Sequence, residues 1–219
     1  MVRGVQSGAP PGVVSAFVVP GAILLPGGRL PLVVFEPRYL ALVDEALGAG
    51  RLFALVQPQE GIGGPAAGLH AVATLARITA FGETGDGRYL ITATGLRRFR
   101  IAGEEAERSG YRRVLADYTA FPQDEDPPVA VVLRERDRLL ALIRAHLNGL
   151  GLGLKSDLDA LDNLSDAELA DRMAMACPFS TEEKQALLEA PTHAERCRLM
   201  IAIIQRELLA EGGGGSTVH

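Results

Sequence analysis

The stretch most suggestive of chemistry is Gly149 to Ser156, which reads GLGLGLKS. A phosphate-binding loop needs Gly directly before its Lys, so that backbone N–H groups can wrap the phosphates. Leu154 fills that place, and a helical pattern rather than a strand precedes the segment, so it reads as a linker between helices. Asp157, Asp159, Asp162 and Asp166 follow, without the Gly and terminal Glu of a calcium loop. They read as helix caps and solvated carboxylates. His70, His146, His193 and His219 form no HxH or HxxxH pair, so neither a metal nor any other cofactor is expected. No G-x-S-x-G elbow marks a nucleophile. Cys177, just before Pro178, reads as a small hydrophobe at a helix end. One cationic group remains: Arg97, Arg98 and Arg100, with Arg112 and Arg113 further on. Converging on one surface, these five would offer an anion or RNA patch. Their only interleaved aromatic is Phe99, of opposite parity to Arg98 and Arg100, so they read instead as a wet strand face.

The elements that must position these residues change character along the chain. Up to Pro122 the pattern is mostly extended. Val13–Val19, Leu30–Phe35, Arg51–Gln57, Val72–Phe81, Arg88–Ile101 and Arg112–Phe121 read as short strands. Pro26-Gly27-Gly28 is a turn, and Asp86-Gly87 signals a two-residue hairpin turn. One helix interrupts, started by Pro37 and ended by Gly48 in a left-handed conformation. In the strand after the hairpin, Tyr89, Ile91, Ala93, Phe99 and Ile101 share one parity, and Arg88, Thr92, Thr94, Arg98 and Arg100 take the other. That alternation predicts one buried and one wet face. Five or more short strands suggest a closed or half-closed barrel.

From Pro122 a charged, Pro-rich linker leads into helices. Val132, Leu139, Ile143 and Leu147 mark one face of the first, with Asn148-Gly149 at its end. Three capping boxes follow, Ser165…Glu168, Ser180…Glu183 and Thr192…Glu195. Cys197, Ile201, Ile204 and Leu208 then carry the apolar stripe of the last helix. The expected division is a loose segment 1–12, a β-rich part 13–122, a bundle of about four helices 123–211, and a Gly-rich tail 212–219.

The 219 residues, 47% hydrophobic and 22% charged, can fill a real core. A net charge of -5 gives nucleic acid no general attraction. Two cysteines outside any motif fit reduced thiols in a cytoplasmic protein. No signal peptide or apolar run of about 20 residues points to export or a membrane.

The segment Phe17 to Tyr39 resembles the opening of the substrate-binding domain at the N-terminus of Lon-type proteases. Its Pro26-Gly27 turn, Leu30-Pro31-Leu32 run and Glu36-Pro37-Arg38-Tyr39 helix start match that family in order. Further on, Ala76-Arg77-Ile78, then Gly95 with Arg98-Phe99, then Glu183 to Glu189 (EKQALLE) match in turn. One departure is Ala73-Thr74-Leu75 where the family carries Gly-Thr before Ala-Arg-Ile. The resemblance implies an α+β fold, a PUA-like pseudo-barrel followed by a helical bundle. It implies recognition rather than catalysis, since no catalytic residue of the family lies in this domain.

The expectation is therefore a stand-alone, non-enzymatic protein, since the chain ends before any ATPase or Ser-Lys peptidase. It would bind exposed apolar or unfolded polypeptide, as an adaptor or quality-control factor with a protease or chaperone partner. Leu24, Leu25, Pro26 and Gly27 are the candidate contacts, taken as apolar residues flanking a surface loop. The alternatives are an RNA-binding PUA-like protein, using the five arginines, and a hydrolase.

Overall fold

A computed structural model describes residues 9–59, 68–125, 131–152 and 160–213. Residues 153–156 of the GLGLGLKS segment, Asp157, Asp159, His219 and most of the Gly61–Gly68 loop lie outside them. Six strands form one sheet: β1 (Val13–Val18), β2 (Arg29–Val34), β3 (Leu52–Val56), β4 (Val72–Glu83), β5 (Tyr89–Arg108) and β6 (Tyr111–Asp117). Their order is β2-β5-β4-β3-β1-β6, and β6 pairs again with β5. Length explains this closure. The first part of β5 pairs with β2 and β4, and its last part, from Arg100, pairs with β6. Five strands thus close a ring, with β2 outside it, as expected of a pseudo-barrel.

Helix α1 (Pro37–Gly48) starts at its proline, where the missing N–H has no partner to lose. It buries Tyr39, Leu42, Val43 and Ala46 against the sheet, where Phe17 stacks on Tyr39 with centroids 4.2 Å apart. The left-handed turn after it falls on Gly50 (φ 82°) and Arg51 (φ 65°), later than the expected Gly48. The β4–β5 hairpin is also one residue longer than its Asp-Gly suggests. Thr84 and Arg88 face each other across Gly85, Asp86 and Gly87, and Gly87 takes φ 79°. A three-residue loop of this kind places its glycine last, at the left-handed position.

The helices that follow are α2 (Arg136–Gly149), α3 (Asp166–Ala176), α4 (Thr181–Glu189) and α5 (His193–Gly213). All three capping boxes form. Ser165, Ser180 and Thr192 each accept the N–H of the Glu three residues on, and that Glu accepts the cap's own N–H. Such caps satisfy N–H groups that no helix can bond internally. Val132 lies before α2 and is exposed, so the apolar face of that helix begins at Leu139. The bundle core gathers Leu139, Ile143, Leu169, Leu187, Met200 and Ile204 and extends to Ile23, Leu25, Val72 and Phe121 from the first half of the chain. The two halves therefore share one apolar seam.

Candidate functional site

The segment before β2 lies across the sheet rather than looping into solvent. The Thr74 hydroxyl donates to Leu24 O at 2.6 Å. Gly27 N–H donates to Gly95 O at 2.9 Å, and Gly95 N–H donates to Gly28 O at 3.0 Å. A Cβ at Gly95 would stand 2.3 Å from the Leu25 carbonyl oxygen, so only glycine admits this crossing. The same crossing corrects the candidate contacts. Leu24 and Leu25 are 0% exposed and belong to the cores beneath them. Pro26 and Gly27 do reach a surface, as one wall of a cleft of about 580 Å³ between barrel and bundle.

The cleft is lined on the barrel side by Pro26, Gly27, Gly28, Leu96 and Arg98. Ala167, Asp171, Arg172 and Met175 of α3 face them, with Pro191, Thr192, His193 and Arg196 at the start of α5. Met175 packs against the apolar clusters of both halves, and its sulfur lies where a side chain at Gly28 would go. A thioether can refill an irregular space at small cost.

Arg98 departs most from its expected place. It is 2% exposed rather than wet. The cause is a bulge: Ala76 pairs with Gly95 but Leu75 pairs with Arg97, leaving Leu96 as an extra residue. One extra residue reverses the parity of everything after it. Phe99 then joins Val14, Ala16 and Leu75 on one face of the sheet, while Arg98 turns to the face that carries the bundle. There its Nε and Nη2 donate to the Asp124 carboxylate at 2.9 and 2.8 Å. Its Nη1 donates to Leu188 O and Ala190 O at 2.8 and 2.7 Å, and Nη2 also to Pro191 O at 3.4 Å. Arg196 approaches the same end of α4, donating to Leu187 O at 3.0 Å and to Asp171 Oδ1 at 2.7 Å. A helix ends with carbonyls that lack internal partners and carry its negative dipole end, so guanidinium groups suit it.

The other arginines do not form a shared cationic patch. Arg97 pairs with Glu125 at 3.3 Å and crosses the Tyr118 ring. Arg112 pairs with Glu104, and Arg113 with Glu105 at 3.3 Å. Arg100 is exposed, across the ladder from Asp117. The remaining chemistry-bearing residues are dispersed. His70 faces Glu182, His146 faces Glu207, and His193 faces Asp171. No cluster of three metal-ligating side chains occurs among the described residues. Cys177 and Cys197 are free and buried, and burial pushes their thiols up to about 12 and about 11. Neither is a thiolate near neutral pH. Sequence reasoning missed Asp124, Asp171 and Arg196, because scattered single residues carry no spacing signal.

Comparison with known proteins bears on this arrangement. The family model described as the ATP-dependent protease La (LON) substrate-binding domain matches residues 13–206. The chain is 25% identical to Lon protease 2 of Myxococcus xanthus over 91% of its length, and 32% identical to Lon protease 1 of Thermus thermophilus over 76%. It spans 25% and 21% of those two relatives, about a quarter of the length of the curated proteins it matches. A solved Lon N-terminal domain protein from Xanthomonas campestris superposes with a TM-score of 0.59 at 25% identity, covering 90% of this chain and 97% of that one. The N-terminal domain of the Mycobacterium avium complex Lon protease shares the fold, with a TM-score of 0.63 at 22% identity over 88% of this chain and 98% of its own.

Proposed function

Because the chain belongs to the LON substrate-binding domain family, we propose that it is a non-catalytic module that binds extended or unfolded polypeptide through apolar side chains. Its setting is cytoplasmic protein quality control, alongside a protease or chaperone partner. The observation that carries this reading is the cleft between barrel and bundle. Pro26, Leu96, Val131, Ala167, Met175 and Pro191 give it an apolar lining, and the charged groups on its walls stand in pairs. Burying one large apolar side chain there contributes roughly 1.5–3 kcal/mol before ordering costs. Affinity for any one segment is therefore modest and tolerant of sequence.

Two further observations support it over the alternatives. Four of the five arginines first considered for RNA each have a carboxylate partner, which leaves little field for a phosphate backbone. Thr192, the hydroxyl residue of the cleft wall, is engaged with Glu195 in a capping box, so a helix start accounts for it without a catalytic role. No described helix is long and apolar enough to cross a membrane.

The chain holds four methionines, of which Met175 lines the cleft. Methyl-labelled methionine thus gives a spectrum with one reporter at the site. Adding a reduced, alkylated model protein should move the Met175 signal similarly at 50 and 500 mM salt, because apolar burial is not screened. A structured RNA that binds, with an affinity falling steeply between those salts, while the unfolded protein leaves Met175 unmoved, would refute the assignment.

A further inference from the structure

Arg196 lines the cleft although its side chain is only 3% exposed. A guanidinium has five N–H donors. Nε donates to Leu187 O, Nη1 to Asp171 Oδ1 and Nη2 to Ala190 O at 3.4 Å. Two N–H groups are thus left without an acceptor among the described residues. Arg98 differs, since the five contacts it makes account for all five of its donors. Asp171 is complementary. It takes one bond from Arg196 on Oδ1 and faces His193 Nε2 at 3.3 Å with Oδ2. A carboxylate has about four acceptor positions, so capacity remains there too. One wall of the cleft therefore carries unspent donors beside unspent acceptors.

We propose that Arg196 and Asp171 read the main chain of an extended polypeptide, Arg196 donating to a backbone carbonyl and Asp171 accepting a backbone N–H. This rests on the polypeptide-binding reading above and assigns its polar half. The match is chemical. Every residue of an extended segment except proline offers one N–H and one C=O, and both must find partners when the segment leaves water. The pair is neutral overall, so it offers a free carboxylate no net attraction, whereas a main-chain N–H and C=O match its acceptor and its donor together. Recognition through the main chain is indifferent to side-chain identity. Pro26 and Leu96 opposite, with Met175 one turn from Asp171 on α3, then favour apolar side chains without specifying one. Arg98 takes no part, because its donors are spent on Asp124 and the end of α4.

The test uses the full chain and a ten-residue Leu- and Val-rich peptide with Gly-Ser ends. Each amide in turn is replaced by an ester, which removes one N–H and weakens one carbonyl. The parent peptide should move the Met175 methyl signal and the Asp171 carboxyl carbon signal. At one or two positions the ester should weaken binding roughly ten- to hundredfold, the worth of a charge-assisted hydrogen bond. The weakened analogues should no longer shift Asp171. Peptides ending in an acid or an amide should bind alike. Arg196→Lys keeps the charge beside Asp171 but not the fork, and should flatten the ester profile if it folds. The scan on the unaltered protein decides the matter if it does not. If Met175 responds and no ester position matters, the main-chain assignment falls while polypeptide binding stands. If the parent peptide leaves Met175 unmoved, both fall.

Discussion

The ring of strands and the helical bundle satisfy their buried polar groups differently. In the ring, β1, β3, β4, β5 and β6 bond to neighbours on both sides, so backbone meets backbone around the circle. In the bundle, α3, α4 and α5 begin with hydroxyl caps from their own sequence, but α4 ends on borrowed groups. Arg98 comes from strand β5 and Arg196 from α5 to meet the carbonyls of Leu187, Leu188 and Ala190. The apolar seam has the same asymmetry, since the bundle core takes in Ile23, Leu25, Val72 and Phe121. Gln57 and Gln185 add polar ties across the seam, with Gln57 Nε2 donating to Gln185 Oε1 at 3.0 Å and Gln185 Nε2 to Val72 O at 3.1 Å. The ring is closed on itself, whereas the bundle is completed by the ring. The cleft opens where they meet, so whatever fills it touches both.

This contrast can be broken most severely at Arg98. Arg98→Met strands the buried Asp124 carboxylate and the carbonyls at the end of α4 together. Removing one partner of a buried pair costs about 3–5 kcal/mol. Urea melts should show that loss. Hydrogen exchange should show faster opening of α4 and α5 while amides of β3 and β4 stay protected. Equal loss of protection in both regions would mean that the ring depends on the bundle as much as the reverse.

A smaller effect is expected from the ring's own side of the seam. Gly95→Ala drives a Cβ into the Leu25 carbonyl, a backbone atom with no easy retreat. Overpacking of this kind costs roughly 1–3 kcal/mol. The Pro26-Gly27-Gly28 turn should shift with it, moving the Met175 methyl signal even without ligand. Wild-type stability and an unmoved Met175 would show that the turn is not held by its crossing at Gly95.

The smallest effects concern the bundle's self-sufficient ends. Ser165→Ala, Ser180→Ala and Thr192→Ala should each cost about 0.5–2 kcal/mol. Thr192 sharpens the comparison further, because it also lines the cleft. Its replacement should weaken peptide binding, whereas that of Ser180 should leave it unchanged. Stability unaltered by all three changes would place the helix starts under tertiary control alone.

The sequence by itself determined the local structure, because the forces that set it act over a few residues. Pro37 needs no hydrogen bond on its nitrogen, so α1 starts there. A hydroxyl with Glu three residues on closes its own capping box, so three helix starts were legible to the residue. The ordered run of Pro26-Gly27, Glu36-Pro37-Arg38-Tyr39, Gly95 and Arg98-Phe99 was enough to suggest the family. What only the tertiary structure decided is where each of these residues faces. The bulge at Leu96 depends on how β5 registers with β4, and it turned Arg98 from a wet face into the seam. The segment containing Leu24 and Leu25 reads as a loop because Pro and Gly flank it, yet Gly95, some 70 residues on, draws it across the sheet and buries it. Asp171 and Arg196 carry no mark in the sequence. They are 25 residues apart, and they meet only because α3 and α5 pack side by side beneath the end of α4.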